Sequence, residues 1–403
     1  MEAGSVKNME KMKENRKIKT LCVVGTRPEA IKMAPLILEL KSDPSFDATL
    51  LASGQHSEML LQALSHFGIT PDENLRVMIE RQTLEHITSS VLKGVGAFLD
   101  ANPQDILLVH GDTTTTLAAS LAGFYRKTPV GHVEAGLRSH DMARPFPEEA
   151  NRALTDRLSS LHFAPTDLAA ENLLAEGVKK DSVFVTGNTV IDALFWTLAK
   201  GGNANNDRSN NSRAADTEFL SIPEDAPIAL LTAHRRESWG APLERICRAV
   251  RRAVEKHADL RLVVPLHKNP DVRDTIMKIL GRRENVVFTE PLEYPEFVAV
   301  MNRSLFIMSD SGGVQEEASA LGKPVLILRE LSERPEALDK GTGLLVGTDE
   351  HIIEGEASRL LEDESYRESF TKRGGGAKCP FGDGNASKRI ADILKNFFAE
   401  RVF

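Results

Sequence analysis

Cysteine is scarce in this chain: Cys22, Cys247 and Cys379 are the only three, and no two stand in a CxxC pair. That excludes a disulfide framework and a thiolate zinc site, and it fits a reducing, cytoplasmic setting. Long apolar runs are missing too, since none approaches the roughly 20 residues of a membrane span. Residues 1–19 are polar and Lys-rich, without the apolar core of a signal peptide, and are expected to be a disordered N-terminal extension. Positive charge is not in excess: Lys+Arg 50 against Asp+Glu 58 leaves a net charge of -8, which argues against nucleic acid as a partner. Membrane contact is not expected either. Both common phosphate fingerprints, GxGxxG and GxxxxGK[ST], are lacking; the nearest match, Gly94-Val95-Gly96, has no third glycine and begins no strand-to-helix turn. Hydride transfer and nucleotide kinase chemistry are therefore disfavoured, and no cofactor or metal is expected.

The chain does have the length and apolar content for two α/β domains, with 403 residues of which 41% are hydrophobic and 27% charged. Strand-like runs recur at Leu21–Val24, Ala48–Ala52, Ile106–Val109, Val130–Val133 and Val183–Val185, with helical stretches between them. This alternation predicts a parallel sheet covered on both faces. After a helical stretch from Thr189 to Lys200, the Asn-rich segment Gly201–Asp216 reads as a flexible loop near a domain junction. The pattern restarts at Ile228–Thr232, Leu262–Pro265, Val286–Thr289, Leu305–Met308 and Pro324–Leu328. The expected division is a Rossmann-like domain over 20–190, a second over 191–383, and a tail over 384–403 whose helix, Ala386–Ala399, packs back on the N-terminal domain.

Carboxylates crowd one segment. Val109 to Arg152 holds Asp112, Glu134, Glu148 and Glu149 near two strand ends, more acid than two strand-to-helix junctions need. Side chains two apart on a strand share a face, so His110 is expected beside Asp112 and His132 beside Glu134. Such a group can move protons; its residue types would also suit a metal.

Three strand-to-helix turns carry the means to hold an anion. Ser309–Glu317 (SDSGGVQEE) places small residues where backbone N–H groups and a helix dipole can meet a phosphate, although a capped helix with acidic residues in its first turn would read the same way. Gly25–Leu36 (GTRPEAIKMAPL) sets Arg27 and Lys32 around the first turn, with Pro28 suited to a helix start. Thr232–Gly240 (TAHRRESWG) brings His234, Arg235 and Arg236 to a strand end of the second domain. Anion turns on both domains with carboxylates on one suit a nucleotide-activated sugar.

GTRPEAIKMAPL, GQHSEML, VHGDTTTTLAASLA, HVEAGLRS, PFPEEANR, GNTVIDAL, TAHRRES, SDSGGVQEEASALGKP and SERPEA occur in this order from Gly25 to about Ile390. The chain thereby resembles the non-hydrolysing UDP-N-acetylglucosamine 2-epimerases. The resemblance implies a GT-B type α/β fold of two doubly wound Rossmann-like domains with parallel sheets and an interdomain cleft, a homodimer, and UDP-N-acetylglucosamine and UDP as ligands. It also implies interconversion of UDP-N-acetylglucosamine and UDP-N-acetylmannosamine for polysaccharide, by elimination of UDP to a 2-acetamidoglucal and re-addition. The hydrolysing epimerases, whose first motif differs from GTRPEAIK, and GT-B glycosyltransferases are the alternatives.

By the same resemblance, Asp112, Glu134, Glu148 and His234 are catalytic. Arg27, Lys32, Arg152, Phe297, Ser311, Gly312, Gly313, Glu317 and Arg334 are substrate-binding, with Ser311 and Gly312 on phosphate and Glu317 on the ribose. Gln55, His56, Arg81 and Gln82 match a regulatory substrate site. The chain departs from the family pattern at Ser57, where an arginine is usual, at Arg144 for a serine, and at Ser332 for a threonine.

Overall fold

The computed structural model describes residues 16–54, 57–80, 82–203, 222–223, 225–233, 235, 238–332, 334–375 and 378–400. It divides into two compact units, one built from the chain up to Ala193 together with the segment from Gly384, the other from Leu194 to Asp383. No helix among the described residues is long and apolar enough to cross a membrane.

The first unit is a seven-stranded parallel sheet in the order β3-β2-β1-β4-β5-β6-β7. Its strands are β1 (Ile18–Val24), β2 (Phe46–Ala52), β3 (Glu73–Asn74), β4 (Ile106–His110), β5 (Val130–Val133), β6 (Leu161–Ala164) and β7 (Val183–Val185). Every residue of β4, β5 and β6 is buried, as expected of strands with helices on both faces. Strand β6 escapes the sequence pattern because it is four residues long with a histidine inside; that histidine, His162, has its ring nitrogens 2.8 and 3.2 Å from the carbonyls of Asp156 and Ser182. β1 starts at Ile18, within the span expected to be a disordered extension, where the Lys19 amide donates to Asp105 at 2.9 Å.

The helices of this unit are α1 (Arg27–Ser42), α2 (Ser57–His66), α3 (Leu84–Ala101), α4 (Thr114–Tyr125), α5 (Glu148–Leu158), α6 (Asp167–Ala175) and the start of α7 (Thr189–Asn203), which passes into the second unit after Ala193. Leu21, Val23, Leu107 and Val109 of the sheet meet Val91, Val95, Ala118 and Ala122 of α3 and α4 in a fully buried cluster. Each of the leucine and valine side chains contributes about 1.5–3 kcal/mol by leaving water. The last helix of the chain, here α15 (Ala386–Glu400), belongs to this unit. Asp192 of α7 accepts from the Ala386 and Ser387 amides at 3.2 and 2.8 Å, so it caps that helix from outside. Lys395 then reaches Asp43 at 3.0 Å at the end of α1.

The second unit is a six-stranded parallel sheet in the order β10-β9-β8-β11-β12-β13. Its strands are β8 (Ile228–Thr232), β9 (Arg261–Pro265), β10 (Val286–Thr289), β11 (Phe306–Ser309), β12 (Val325–Ile327) and β13 (Gly343–Leu345). Around it lie α8 (Ala241–Lys256), α9 (Pro270–Leu280), α10 (Tyr294–Arg303), α11 (Gly312–Ala320), α12 (Pro335–Asp339), α13 (Glu350–Glu362) and α14 (Glu364–Gly374). Leu231, Leu262, Phe306, Leu326, Val250 and Leu360 anchor its core. The Asn-rich stretch Gly201–Asp216 runs, beyond Asn203, outside the described residues.

Both units are thus doubly wound α/β folds, the two-domain class that the motifs imply. In each, the strand order reverses at one point, between β1 and β4 in the first and between β8 and β11 in the second. Ligands of such sheets bind outside the carboxyl ends of the strands at that reversal.

Candidate active site

Strand β4 ends at His110, and Gly111 with φ 65 turns the chain before Asp112. Strand β5 ends at Val133, and Glu134 has φ 66, a left-handed conformation uncommon for a side chain of this size. The expected pairings fare differently at these two turns: Asp112 acts electrostatically on His110, whereas His132 makes its hydrogen bonds to groups other than Glu134. A period of two holds only while the backbone is extended, and each acid sits just past the last extended residue.

His132 is instead held by Asp156 and the Gly111 carbonyl and is structural. Its Nδ1 lies 2.6 Å from Asp156 Oδ1 and its Nε2 2.7 Å from the Gly111 carbonyl, so both ring nitrogens are engaged. Asp156 also accepts from Arg138 at 2.7 Å, and Arg138 is shared with Glu176 at 2.7 and 2.9 Å. Burial works to raise the Asp156 pKa, but His132 and Arg138 outweigh it and hold the carboxyl at about 2. Occupied on both sides, His132 is no metal ligand, and the described residues contain no cluster of three or more metal-ligating side chains.

His110 is the imidazole near Glu134. Its Nε2 is 3.9 Å from Glu134 Oε2 and is buried without a hydrogen-bond partner. Desolvation lowers its pKa to about 4 in spite of Glu134, so it is neutral at pH 7.

Two of the three catalytic candidates of this unit, Glu134 and Asp112, are each matched to a cation. Lys32 of α1 places Nζ 2.5 Å from Glu134 Oε2, which Asn188 also meets at 2.7 Å. Arg152 of α5 pairs with Asp112, while its other arm reaches Glu149 at 3.2 Å. Asn151 of the same helix donates to the Asp112 carbonyl at 2.9 Å. Glu148 is the first residue of α5, three and four positions before those two, so it shares their face. Glu149 has a different job: it takes the Ser139 and His140 amides, both at 3.0 Å, and orders the loop before the helix. The Glu134 side chain is 7% exposed and that of Asp112 28%, leaving Asp112 the more reachable of the two.

Glu29, which the sequence motifs do not single out, joins these turns. Its Oε2 accepts from the Gly25 and Thr26 amides at 3.0 and 2.7 Å, and its Oε1 from the Thr113 and Thr116 hydroxyls at 2.7 and 3.0 Å. It therefore ties the turn after β1 to the turn after β4 and seats Arg27 and Lys32 beside the acid segment. The signal was present as Thr26-x-x-Glu29, a capping box.

In the second unit, the turn after β11 departs from the capped-helix reading of SDSGG. Ser311 stands at the N-cap of α11 but its side chain makes no capping bond, and no acidic residue lies in the first turn. The capped helix with acidic residues in its first turn is therefore not what forms here. The strands beneath are pinned by Thr232 and Ser309, whose hydroxyls are 2.7 Å apart, and Ser309 accepts from the Ser311 amide at 3.0 Å.

Arg334, 7% exposed, pairs with Glu316, and its guanidinium lies 3.7 Å from where a Cβ on Gly312 would stand; at Gly313 that space is open. Glu317 accepts from Tyr294 at 2.8 Å, and half-buried Phe297 lies one turn along α10. Ser332 donates to Gln315 at 2.9 Å and accepts from the Arg334 amide at 3.0 Å, tasks that need only a hydroxyl. Arg144, by contrast, is exposed and only 4.0 Å from Asp141.

The expected catalytic residue His234 and the expected regulatory residues Gln55, His56 and Arg81 lie outside the described residues. Gln82 is described, two positions before the first residue of α3.

The sequence pattern of the family described as UDP-N-acetylglucosamine 2-epimerase matches residues 38–395. The chain belongs to that family. It is 48% identical over 379 residues to the UDP-N-acetylglucosamine 2-epimerase of Escherichia coli K12, covering 94% of this chain and 99% of the relative. To the Bacillus subtilis 168 enzyme of the same name it is 49% identical over 380 residues, covering 94% and 95%. Among solved structures, the UDP-N-acetylglucosamine 2-epimerase of Neisseria meningitidis bound to UDP-N-acetylglucosamine superposes with a TM-score of 0.86 at 45% identity, covering 94% of this chain and 100% of that one.

Proposed function

We propose that this epimerase-family member interconverts UDP-N-acetylglucosamine and UDP-N-acetylmannosamine without hydrolysing either. The observation that carries the reading is the paired arrangement at the β4 and β5 ends, where Asp112 and Glu134 each face their own cation within one loop cluster. Inverting C2 requires removing a proton from one face and returning one to the other, and two separately supported carboxylates are suited to that task.

A carboxylate takes the C2 proton as the C1–O bond to the diphosphate breaks, giving a 2-acetamidoglucal and UDP. A protonated carboxyl group then delivers a proton to the opposite face of C2 while the UDP oxygen re-forms its bond to C1. Asp112, Glu134 and Glu148 share these transfers, with His234 beside them. Lys32, Arg27 and Arg152 offset the negative charge on the departing diphosphate, the kind of preorganised electrostatic support that is commonly a large catalytic term. Ser311, Gly312, Gly313 and Arg334 receive phosphate at the start of α11, Glu317 the ribose, and Phe297 another part of the substrate.

The proposal extends to a cytoplasmic homodimer, checked by light scattering on the purified protein. Gln55, His56, Arg81 and Gln82 are proposed to bind a regulatory substrate molecule, read as sigmoidal velocity curves. The reaction itself is tested by incubating the protein with UDP-N-acetylglucosamine in D₂O and following both sugars by NMR. Deuterium at C2 of the UDP-linked epimer is the expected result. Epimer without deuterium sinks the elimination mechanism, and accumulation of free N-acetylmannosamine points to the hydrolysing reaction.

A further inference from the structure

Tyr294 is a buried group that the proposed reaction does not use. It is the first residue of α10, 6% exposed, and its phenol donates to Glu317 Oε1 at 2.8 Å across to α11, where Glu317 is 5% exposed. Two elements separated by a strand are thus joined by one charge-assisted hydrogen bond, roughly twice as strong as a neutral one. Burial first, and Glu317 second, push the phenol well above its ordinary value of 10.0, so it remains a donor at any working pH. A tyrosine has two side-chain torsions, and here its ring is packed in the interior. The hydroxyl therefore defines where one oxygen of Glu317 stands.

We propose that Tyr294 is a specificity-determining positioning residue, which orients the Glu317 carboxylate so that it accepts from a vicinal ribose diol and selects ribonucleoside diphosphates over their deoxy counterparts. This rests on the reading of Glu317 as the ribose contact. A carboxylate held in one orientation distinguishes hydroxyl from hydrogen because a deoxy ligand leaves its buried oxygen unpaired. With the tether removed, the carboxylate can rotate to other partners and the distinction weakens.

The test measures, by calorimetry on the full chain, the affinities of UDP and 2′,3′-dideoxy-UDP for wild type, Glu317→Gln, Tyr294→Phe and Tyr294→His. Wild type is expected to prefer UDP at least tenfold, and Glu317→Gln to lose most of that preference. Tyr294→Phe is expected to weaken UDP about tenfold with little change for the dideoxy ligand, raising KM for UDP-N-acetylglucosamine while kcat stays within about threefold. Tyr294→His, which keeps a ring donor, should recover part of the preference. A purely structural role would lower both affinities together and leave their ratio intact, which would overturn the inference. Failure of Glu317→Gln to change the ratio would instead refute the ribose assignment beneath it, and so would a wild type without preference.

Discussion

Lys32 and Glu134 stand 102 positions apart in the chain and 2.5 Å apart in the fold, with the carboxylate almost wholly buried. Lys32→Met leaves that charge with Asn188 but no ammonium. Turnover is expected to fall by about 10²-fold or more, because a positioned acid or base typically contributes 10²–10⁴-fold. Stability should fall as well, by roughly 3–5 kcal/mol, as for any buried pair broken on one side. Steady-state kinetics on the folded fraction, alongside thermal melts, check both; unchanged kcat would remove Lys32 from the machinery.

Asp156 supports the site from beneath. Asp156→Asn deprives His132 and Arg138 of their shared carboxylate and is expected to cost about 3–5 kcal/mol. The sign of its pH dependence follows from a folded pKa of about 2, below the ordinary value near 3.9. The wild-type advantage over the variant should be complete above pH about 4 and shrink as the pH falls toward 2. Denaturant melts of both proteins across that range provide the measurement, and a difference that grows on acidification would refute it.

His110 titrates in the opposite residue class but with the same depressed sense. Unfolded, it binds its proton near pH 6.5; folded, only near about 4, so the folded protein holds fewer protons between these values. Its contribution is complete above pH 6.5 and is lost as the pH falls toward 4, by up to about 3 kcal/mol. His110→Gln removes the titrating ring, so its melting temperature is expected to decline less between pH 6.5 and 4 than that of wild type. Parallel slopes would show that His110 does not titrate as its burial demands.

Arg334 and Glu316 form the corresponding buried pair of the second unit. Arg334→Met should destabilise by roughly 3–5 kcal/mol, because Glu316, 1% exposed, loses its partner. Adding Glu316→Gln should restore most of the stability without restoring UDP affinity, which separates the guanidinium's packing role from its proposed contact with phosphate. Calorimetric titration with UDP decides: full recovery of affinity in the double variant would remove Arg334 from the binding set.

The sequence by itself determined the alternation of strands and helices, because buried parallel strands read as short apolar runs and the intervening helices as longer amphipathic stretches. It also marked Gly25–Leu36 and Ser309–Glu317 as turns at strand ends, since glycine, proline and small polar residues there have local backbone reasons. Only the tertiary structure decided which groups meet. Gly111 and Glu134 leave the extended conformation, so strand alternation does not carry through to the two acids. His132 went to Asp156, Lys32 to Glu134, Arg152 to Asp112 and Tyr294 to Glu317, partners brought together by sheet order and helix packing. Local periodicity carries no information about such contacts, because they depend on which strands lie side by side where the sheet order reverses.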